Sequence, residues 1–507
     1  MNVGFVSLGC SKNLVDTEMM IGLFEKNKFN IVNDPKDADI IVVNTCGFIG
    51  SAKEEAINTL LEMAEYKKGK CKYLIATGCM VERYKEQLKK EMPEVDLWIK
   101  LSEYNTLWEQ IEKLINNDNK KDKSREEKKE KKTNLNSEKN FDQTKNEKEY
   151  NRLDFNNREI TTGKNYAYIR IADGCDNFCT FCAIPYIRGR FKSRKEEDIL
   201  SEVEKLAKEG IKEFIIIAQD TTKYGVDIYG KPCLAELLHK ISLIKGVKWI
   251  RFLYSYPETI TDELIDEVKN NKKICKYFDI PIQHISDKML KAMNRKTTKK
   301  SIINLIEKLR KEIPNVIIRS TVMCGFPGET EEDFKELYEF VKWAKFDKLG
   351  CFAYSKEEGT PAEKMQNQVH PSTKKSRYNK IMKLQNEISK ENLKKWIGKE
   401  FEILIEDEYS VDEIESKDEL KNKCENLDYK ENNNCKNLNC DEEIDENNVY
   451  VNDKQKNMHY FVGRTYIDVP EIDGYTYVKS NDHNKYKINE FAKCKIIASK
   501  DYDLIAE

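Results

Sequence analysis

The residues in this chain best suited to chemistry are cysteines. Cys175, Cys179 and Cys182 stand in the spacing C-x-x-x-C-x-x-C within DGCDNFCTFCAIPYIRG. Three thiolates on one tight loop can hold three irons of a 4Fe–4S cube. No fourth cysteine follows closely, as it would in a ferredoxin-type run; the next is Cys233. The fourth iron is therefore left open to a small ligand. A zinc ribbon would bring a second Cys-x-x-Cys pair roughly fifteen to twenty residues on, and this sequence has none there.

A second set is spread more widely. Cys10, Cys46 and Cys79 each fall just past a short apolar run: Val3–Leu8, Asp39–Val43 and Tyr73–Ala76. Thiolates drawn together there suit an iron–sulfur cluster or zinc. Buried cysteines packing as small hydrophobes are the plainer alternative. Cys71 precedes its strand and belongs to the opposite end of the sheet. Cys424, Cys435 and Cys440 lie in an Asn/Glu-rich stretch without a tight Cys-x-x-Cys pair and read as stray thiols.

The elements that must position these thiols follow a simple rhythm. The three apolar runs are each followed by a helical pattern, at Asp16–Lys26, about Ser51–Tyr66 and about Glu82–Lys90. Strand–turn–helix units in succession imply an open parallel sheet covered on both faces. The carboxyl ends of its strands open into one crevice, where ligands bind. From Tyr166 the pattern resumes with strands at Tyr166–Ala172, Phe214–Ala218, Trp249–Tyr254, Phe278–Ile280, Val316–Met323 and Lys348–Phe352. They predict a partial (β/α) barrel with polar residues at the strand carboxyl ends, where such barrels place their sites. Ser193-Arg194-Lys195-Glu196 reads as a capping box ahead of a helix. Short strands from Phe401, and again from Phe461 onward, with Gly and Asp turns, predict a small β-barrel.

Composition bounds the rest. A chain of 507 residues is too long for one core. Its balance of 87 Lys+Arg against 89 Asp+Glu offers no whole-protein case for binding nucleic acid. No apolar run is long enough to span a bilayer, and the N-terminus has no secretory pattern, so a cytoplasmic protein is expected. Two charged segments interrupt the globular parts. Residues 116–151, almost without aliphatic side chains, read as a linker; about 408–457, with fifteen Asp/Glu against seven Lys, reads as a disordered acidic insertion. The expected domains are thus 1–115 (α/β), 152–395 (partial barrel) and 396–507 (small β-barrel carrying the acidic insertion).

C-x-x-x-C-x-aromatic-C, with Phe181 in the aromatic place, resembles the signature of radical S-adenosylmethionine (SAM) enzymes. The last region resembles a TRAM domain, an OB-like module. The three parts together resemble the radical SAM methylthiotransferases, and SLGCSKNLVDTE, NTCGFIGSAKEEAI and GRTYIDVPEIDGY look like its RimO branch. MiaB-like relatives, which modify transfer RNA, usually open with Tyr-Gly-Cys-Gln-Met-Asn where this chain has Leu8-Gly9-Cys10-Ser11-Lys12-Asn13. The resemblance implies two 4Fe–4S clusters, one on Cys10, Cys46 and Cys79 and one, SAM-binding, on Cys175, Cys179 and Cys182. It implies that Phe181, Gln219, Ser255, Gln283, Gly325 and Gly328 line the SAM pocket, though each also has a plainer capping or turn role. The implied reaction adds a methylthio group to the β-carbon of an aspartate of ribosomal protein S-twelve. It uses two SAM molecules, a sulfur donor and an electron donor, with one cluster starting radical chemistry and the other presenting sulfur. A nucleic-acid substrate is disfavoured. The alternatives are a MiaB-like transfer RNA adenosine enzyme and, more distantly, an iron–sulfur sensor without turnover. His284 reads as a packed or hydrogen-bonding histidine.

Overall fold

The computed structural model describes residues 1–126, 155–410 and 459–507. The first unit is a parallel sheet in the order β2-β1-β3-β4-β5, made of β1 (Asn2–Ser7), β2 (Asn30–Ile31), β3 (Ile40–Thr45), β4 (Tyr73–Gly78) and β5 (Leu97–Ile99). Four helices flank it: α1 (Ser11–Lys26), α2 (Gly50–Glu65), α3 (Cys79–Glu91) and α4 (Leu107–Glu126). Side chains alternate between its two faces, as a pleated strand demands. Val3, Ile40, Val42 and Ile75 pack with Val15 and Met19 of α1 and Ile111 of α4. Ile41, Val43, Leu74 and Ala76 pack with Leu60 of α2 and Val81 of α3. The strand order reverses between β1 and β3, so the crevice at that switch point lies between the loops bearing Cys10 and Cys46. α4 runs on to Glu126, into the stretch 116–151 expected to be a linker; the remainder of that stretch lies within 127–154, outside the described residues.

The second unit holds two three-stranded parallel sheets that supply the six barrel strands. β6 (Tyr166–Arg170), β9 (Glu213–Ile217) and β10 (Trp249–Phe252) form one; β11 (Tyr277–Gln283), β12 (Ile317–Cys324) and β13 (Lys348–Ala353) form the other. A small hairpin, β7 (Ala172–Asp173) with β8 (Lys192–Ser193), brackets the cysteine loop and its short helix α5 (Ile184–Arg188). The expected capping box is not formed. Ser193 spends its hydroxyl on Asp227 Oδ1 at 2.6 Å, and the following helix α6 (Glu196–Lys208) begins after Lys195 with no side-chain cap. Asp227, distant in sequence, outcompetes the local backbone donor.

The third unit is a closed barrel of β14 (Glu400–Ser410), β15 (His459–Arg464), β16 (Thr476–Ser480), β17 (Phe491–Lys500) and β18 (Asp503–Ala506). β14 continues to Ser410, beyond the expected start of the acidic insertion; Cys424, Cys435 and Cys440 lie outside the described residues. Phe461, Tyr460 and Tyr477 are buried, so these aromatics serve as core. The segment around GRTYIDVPEIDGY closes the amino-terminal end of the larger barrel. Tyr166, Glu213, Tyr277 and Lys348 are each the first residue of a barrel strand. They meet, in that order, Glu471 (3.1 Å), Arg464 (2.7 Å), Asp473 (2.7 Å) and Asp468 (2.7 Å). A motif that reads as a family word is, in the fold, the floor of the barrel.

This floor has a pH signature. Burial pushes the Asp468 carboxyl up to about 6 against the opposing pull of the Lys348 ammonium. With an ordinary value of 3.8 when unfolded, the folded chain keeps a proton there that the unfolded chain releases. The contribution is full below about 4 and is lost as pH rises through about 6. Urea unfolding of the wild type should therefore lose stability relative to Asp468→Asn between those values, with a constant difference above them.

Candidate functional site

Cys10, Cys46 and Cys79 arrive at one end of the first sheet for three local reasons. Cys10 is the N-cap of α1, Cys46 follows β3 directly, and Cys79 opens α3 directly after β4. Two glycines allow the approach. Gly9 has φ +90°, and a β-carbon on it would lie 2.7 Å from the β-carbon of Cys46. Gly78 has φ +100°, and a β-carbon there would meet the Thr45 carbonyl at 2.4 Å. Asn13 ties the three loops together. Its amide donates to the carbonyls of Leu8 (2.9 Å) and Thr45 (3.1 Å), and its Oδ1 accepts from the Cys79 thiol at 3.5 Å.

The three thiols feel one another. Burial, then the nearby Arg188 and the negative charge that Cys10 and Cys46 would carry, set the Cys79 thiol at about 12. Cys46 is raised by burial and by Cys10. Cys10 moves the other way. Desolvation would raise it, but Lys12, Arg188 and the backbone N–H groups of Asn13 and Lys12 together pull it down. Cys10 is the exposed member of the set, and Cys46 and Cys79 are buried.

The second triad sits at the carboxyl end of β6. Cys175 N–H donates to Gly189 at 3.1 Å and Cys182 N–H to Cys179 at 2.9 Å, which closes the loop on itself. Asn294 donates to the carbonyls of Asn177 and Phe178, and Thr180 to that of Ala292, fastening the loop to the segment after β11. Arg295 reaches Cys179 Sγ at 3.7 Å and stacks over Tyr256, whose hydroxyl is 3.8 Å from the same sulfur. Burial, with the neighbouring Cys179, pushes Cys175 up to about 11, and burial raises Cys182 further.

A buried ionic bridge joins the triads. Arg188, on α5 just beyond Cys182, donates to Asn13 Oδ1 and to Asp16 Oδ2, each at 2.8 Å, and approaches Asp173 at 3.3 Å. Arg170, the last residue of β6, donates to the other oxygen of Asp16 at 2.5 Å. Burial opposes ionisation of Asp16, but the two guanidinium groups outweigh it and hold the carboxyl below its ordinary range. The same Asn13 that gathers the first triad thus touches the helix that follows the second. Glu357, from the segment after β13, adds a further tie by accepting from Gly50 N–H (3.0 Å) and Lys53 (2.9 Å) at the start of α2.

The residues that resemblance assigned to a SAM pocket fall at the carboxyl ends of the barrel strands. Phe181 stands edge-on to Phe326, ring centres 6.5 Å apart, which brings it beside the turn containing Gly325 and Gly328. Gln219 donates to Asp173, just ahead of the cysteine loop, at 3.4 Å, and its Oε1 is buried without a partner. Ser255 is fully buried with a free hydroxyl. Gln283 ends β11 with φ +69°. His284 is buried, its Nδ1 accepting from the backbone of Ile285 and Ser286, as expected of a packed histidine. Cys71 lies before β4 and turns its thiol to the Tyr73 carbonyl at 3.5 Å. Asn13, Asp16, Arg188, Tyr256 and Arg295 were missed by sequence reasoning. Only the nearness of Asn13 and Arg188 to cysteines could have flagged them.

The donor sets fit iron–sulfur ligation. Among the described residues, no three His, Cys, Asp or Glu side chains gather as one metal ion would require. A cube, by contrast, takes each thiolate on a different iron and tolerates wider spacing. The unpartnered polar atoms of Gln219 and Ser255 leave acceptors and donors for a polar ligand beside the second triad.

Three family models match: the radical SAM superfamily over residues 169–341, the uncharacterized protein family UPF0004 over 2–100, and the TRAM domain over 444–507. The radical SAM match supports an iron–sulfur cluster and SAM as cofactors. A relative from Alkaliphilus oremlandii, ribosomal protein uS12 methylthiotransferase RimO, is 51% identical over 100% of this chain and 99% of its own. The protein of that name from Clostridium perfringens is 45% identical over 99% of this chain and 97% of its own. Among solved structures, the radical SAM methyltransferase TsrM from Kitasatospora setae aligns with TM-score 0.49 and 13% identity, over 71% of this chain and 73% of that one. Full-length identity at this level places the chain: it belongs to the RimO family of radical SAM methylthiotransferases.

Proposed function

We propose that the chain adds a methylthio group to the β-carbon of an aspartate of ribosomal protein uS12 (S-twelve), using two SAM molecules and a sulfur donor. One observation carries the reading: two cysteine triads on different units are brought together, with Asn13 Oδ1 accepting both from the Cys79 thiol and from Arg188 on the helix after Cys182. In this reading Cys175, Cys179 and Cys182 hold the SAM-binding 4Fe–4S cluster, and Cys10, Cys46 and Cys79 hold a second. A cluster held by Cys175, Cys179 and Cys182, with SAM beside it, would supply the one-electron chemistry needed to activate an unreactive carbon–hydrogen bond.

The chain's own residues contribute positioning and charge. Arg295 places a buried cation beside Cys179, and Tyr256 packs against both. Phe181, Gln219, Ser255, Gln283, Gly325 and Gly328 line the space offered to SAM. Lys12 and Arg188 lower the energy of a thiolate at Cys10. The floor built from the third unit closes the far end of the barrel, which leaves substrate the cysteine-bearing end. An external electron donor and a sulfur donor complete the requirements, in the cytoplasm where the ribosomal protein is made. No helix among the described residues is long and apolar enough to cross a membrane.

The test is anaerobic reconstitution with iron and sulfide, then mass spectrometry after incubation with uS12 and, separately, with transfer RNA. A methylthio mass gain on the uS12 aspartate is expected. A gain on transfer RNA alone would overturn the substrate assignment.

A further inference from the structure

The buried cations of this protein follow a rule with two exceptions. Among the described residues, every buried Lys or Arg has a carboxylate within ion-pair distance except Lys12 and Arg295. A buried charge without a counter-ion is costly, and the two exceptions stand one at each cysteine triad. Arg295 spends its guanidinium on Cys179, on the Pro281 carbonyl and on the Tyr256 ring, all on the barrel side. Lys12 has less. It is 6% exposed, and its ammonium lies 3.3 Å from the centre of the Tyr254 ring. That ring belongs to the barrel: Tyr254 follows β10, has φ +62°, and is pinned by its N–H to Asp279 Oδ2 at 2.9 Å. Lys12 therefore extends from the first unit, two residues past Cys10, to the mouth of the second. A ring face recovers part of the desolvation cost, but it leaves the ammonium's three donors without an acceptor.

We propose that Lys12 selects the substrate by binding the side-chain carboxylate of the target aspartate at the mouth of the barrel, between the two triads. The inference rests on the function proposed above and deepens it. An aspartate keeps its carboxylate throughout a substitution at the β-carbon, and the carboxylate is bonded to that carbon. A cation that holds the carboxylate consequently holds the reacting atom one bond away. A nucleobase offers no such anion. A site built around an unpaired ammonium also rejects the isosteric asparagine, because the amide leaves the charge uncompensated.

The experiment uses the reconstituted holoenzyme and two peptides spanning the modified uS12 loop, one with its aspartate and one with asparagine in that place. Binding is measured for wild type, Lys12→Met and Lys12→Arg. Wild type should prefer the aspartate peptide by about 10- to 100-fold, the span expected of a charge-assisted hydrogen bond. Lys12→Met should lose that preference by weakening only the aspartate peptide, and Lys12→Arg should keep most of it. An unchanged preference in Lys12→Met, or no preference in wild type, overturns the proposal. So does an equal loss of affinity for both peptides in Lys12→Met, which would assign the ammonium to the Cys10 side alone. If wild type prefers the aspartate peptide, and Lys12→Met does not, yet no methylthio group is transferred, the carboxylate site stands and the proposed reaction fails.

Discussion

Cys179→Ala is expected to reduce SAM cleavage to background, whereas Cys46→Ala should retain SAM cleavage and abolish methylthio transfer. The asymmetry follows from the placement of the two thiols. Cys179 lies at the barrel mouth beside Arg295 and Tyr256, with the residues proposed to receive SAM. Cys46 lies on the other unit, against Gly9 and the Cys10 loop. Each substitution removes one of three protein ligands from one proposed cube, so bound iron should fall from about eight to about four per chain in either variant. Chemical iron analysis, 5′-deoxyadenosine release and product mass spectrometry together read the outcome. Equal loss of SAM cleavage in both variants would mean that the triads do not hold separate clusters.

Arg188→Met is expected to be the most damaging substitution outside the cysteines. The guanidinium is buried and serves Asp16, Asp173 and Asn13 at once. Removing it leaves Asp173 without its strongest partner and Asp16 with Arg170 alone. Breaking a buried pair from one side costs about 3–5 kcal/mol, equivalent to a fall in melting temperature on the order of 10 °C. The loss should also reach the first triad, because Asn13 gathers the Cys10, Cys46 and Cys79 loops and Arg188 holds Asn13. Iron bound at that triad should become labile to a chelator. Arg188→Lys should rescue only part, since a single ammonium cannot reproduce the planar fork that serves Asn13 and two carboxylates. A variant that melts with wild type and keeps its iron would show that the bridge does not support the triad.

Much of this arrangement was legible in the residues themselves. The loop with Cys175, Cys179 and Cys182 is local, and its spacing fixes three thiols within a few residues of one strand end. Cys10, Cys46 and Cys79 were legible for a different reason: in a parallel sheet every strand delivers its carboxyl end to the same edge, so chain position converts into spatial position. Apolar runs placed most of the core strands within a residue or two of their observed limits, but β11 runs three residues past Ile280 to Gln283 and β14 on to Ser410, where polar residues continue the strand. The capping box at Ser193 failed because a local rule ignored Asp227, which the fold delivers to that hydroxyl. The helix that runs to Glu126, into the charged stretch, was not legible because that segment is charged and only weakly periodic.

The order of residues along the chain sets the chemistry available: two sets of three thiols, the frames that present them, and the family those frames resemble. The coupling between the sets arises only from packing in three dimensions. The ties of Asp16 to Arg188 and of Asn13 to Cys79, the Lys12 ammonium over Tyr254, and the barrel floor from Arg464 to Asp473 all join residues far apart in the chain. No periodicity or spacing encodes such pairs. They exist because packed units must neutralise the charges they bury, and the partner that does so is chosen by geometry in space.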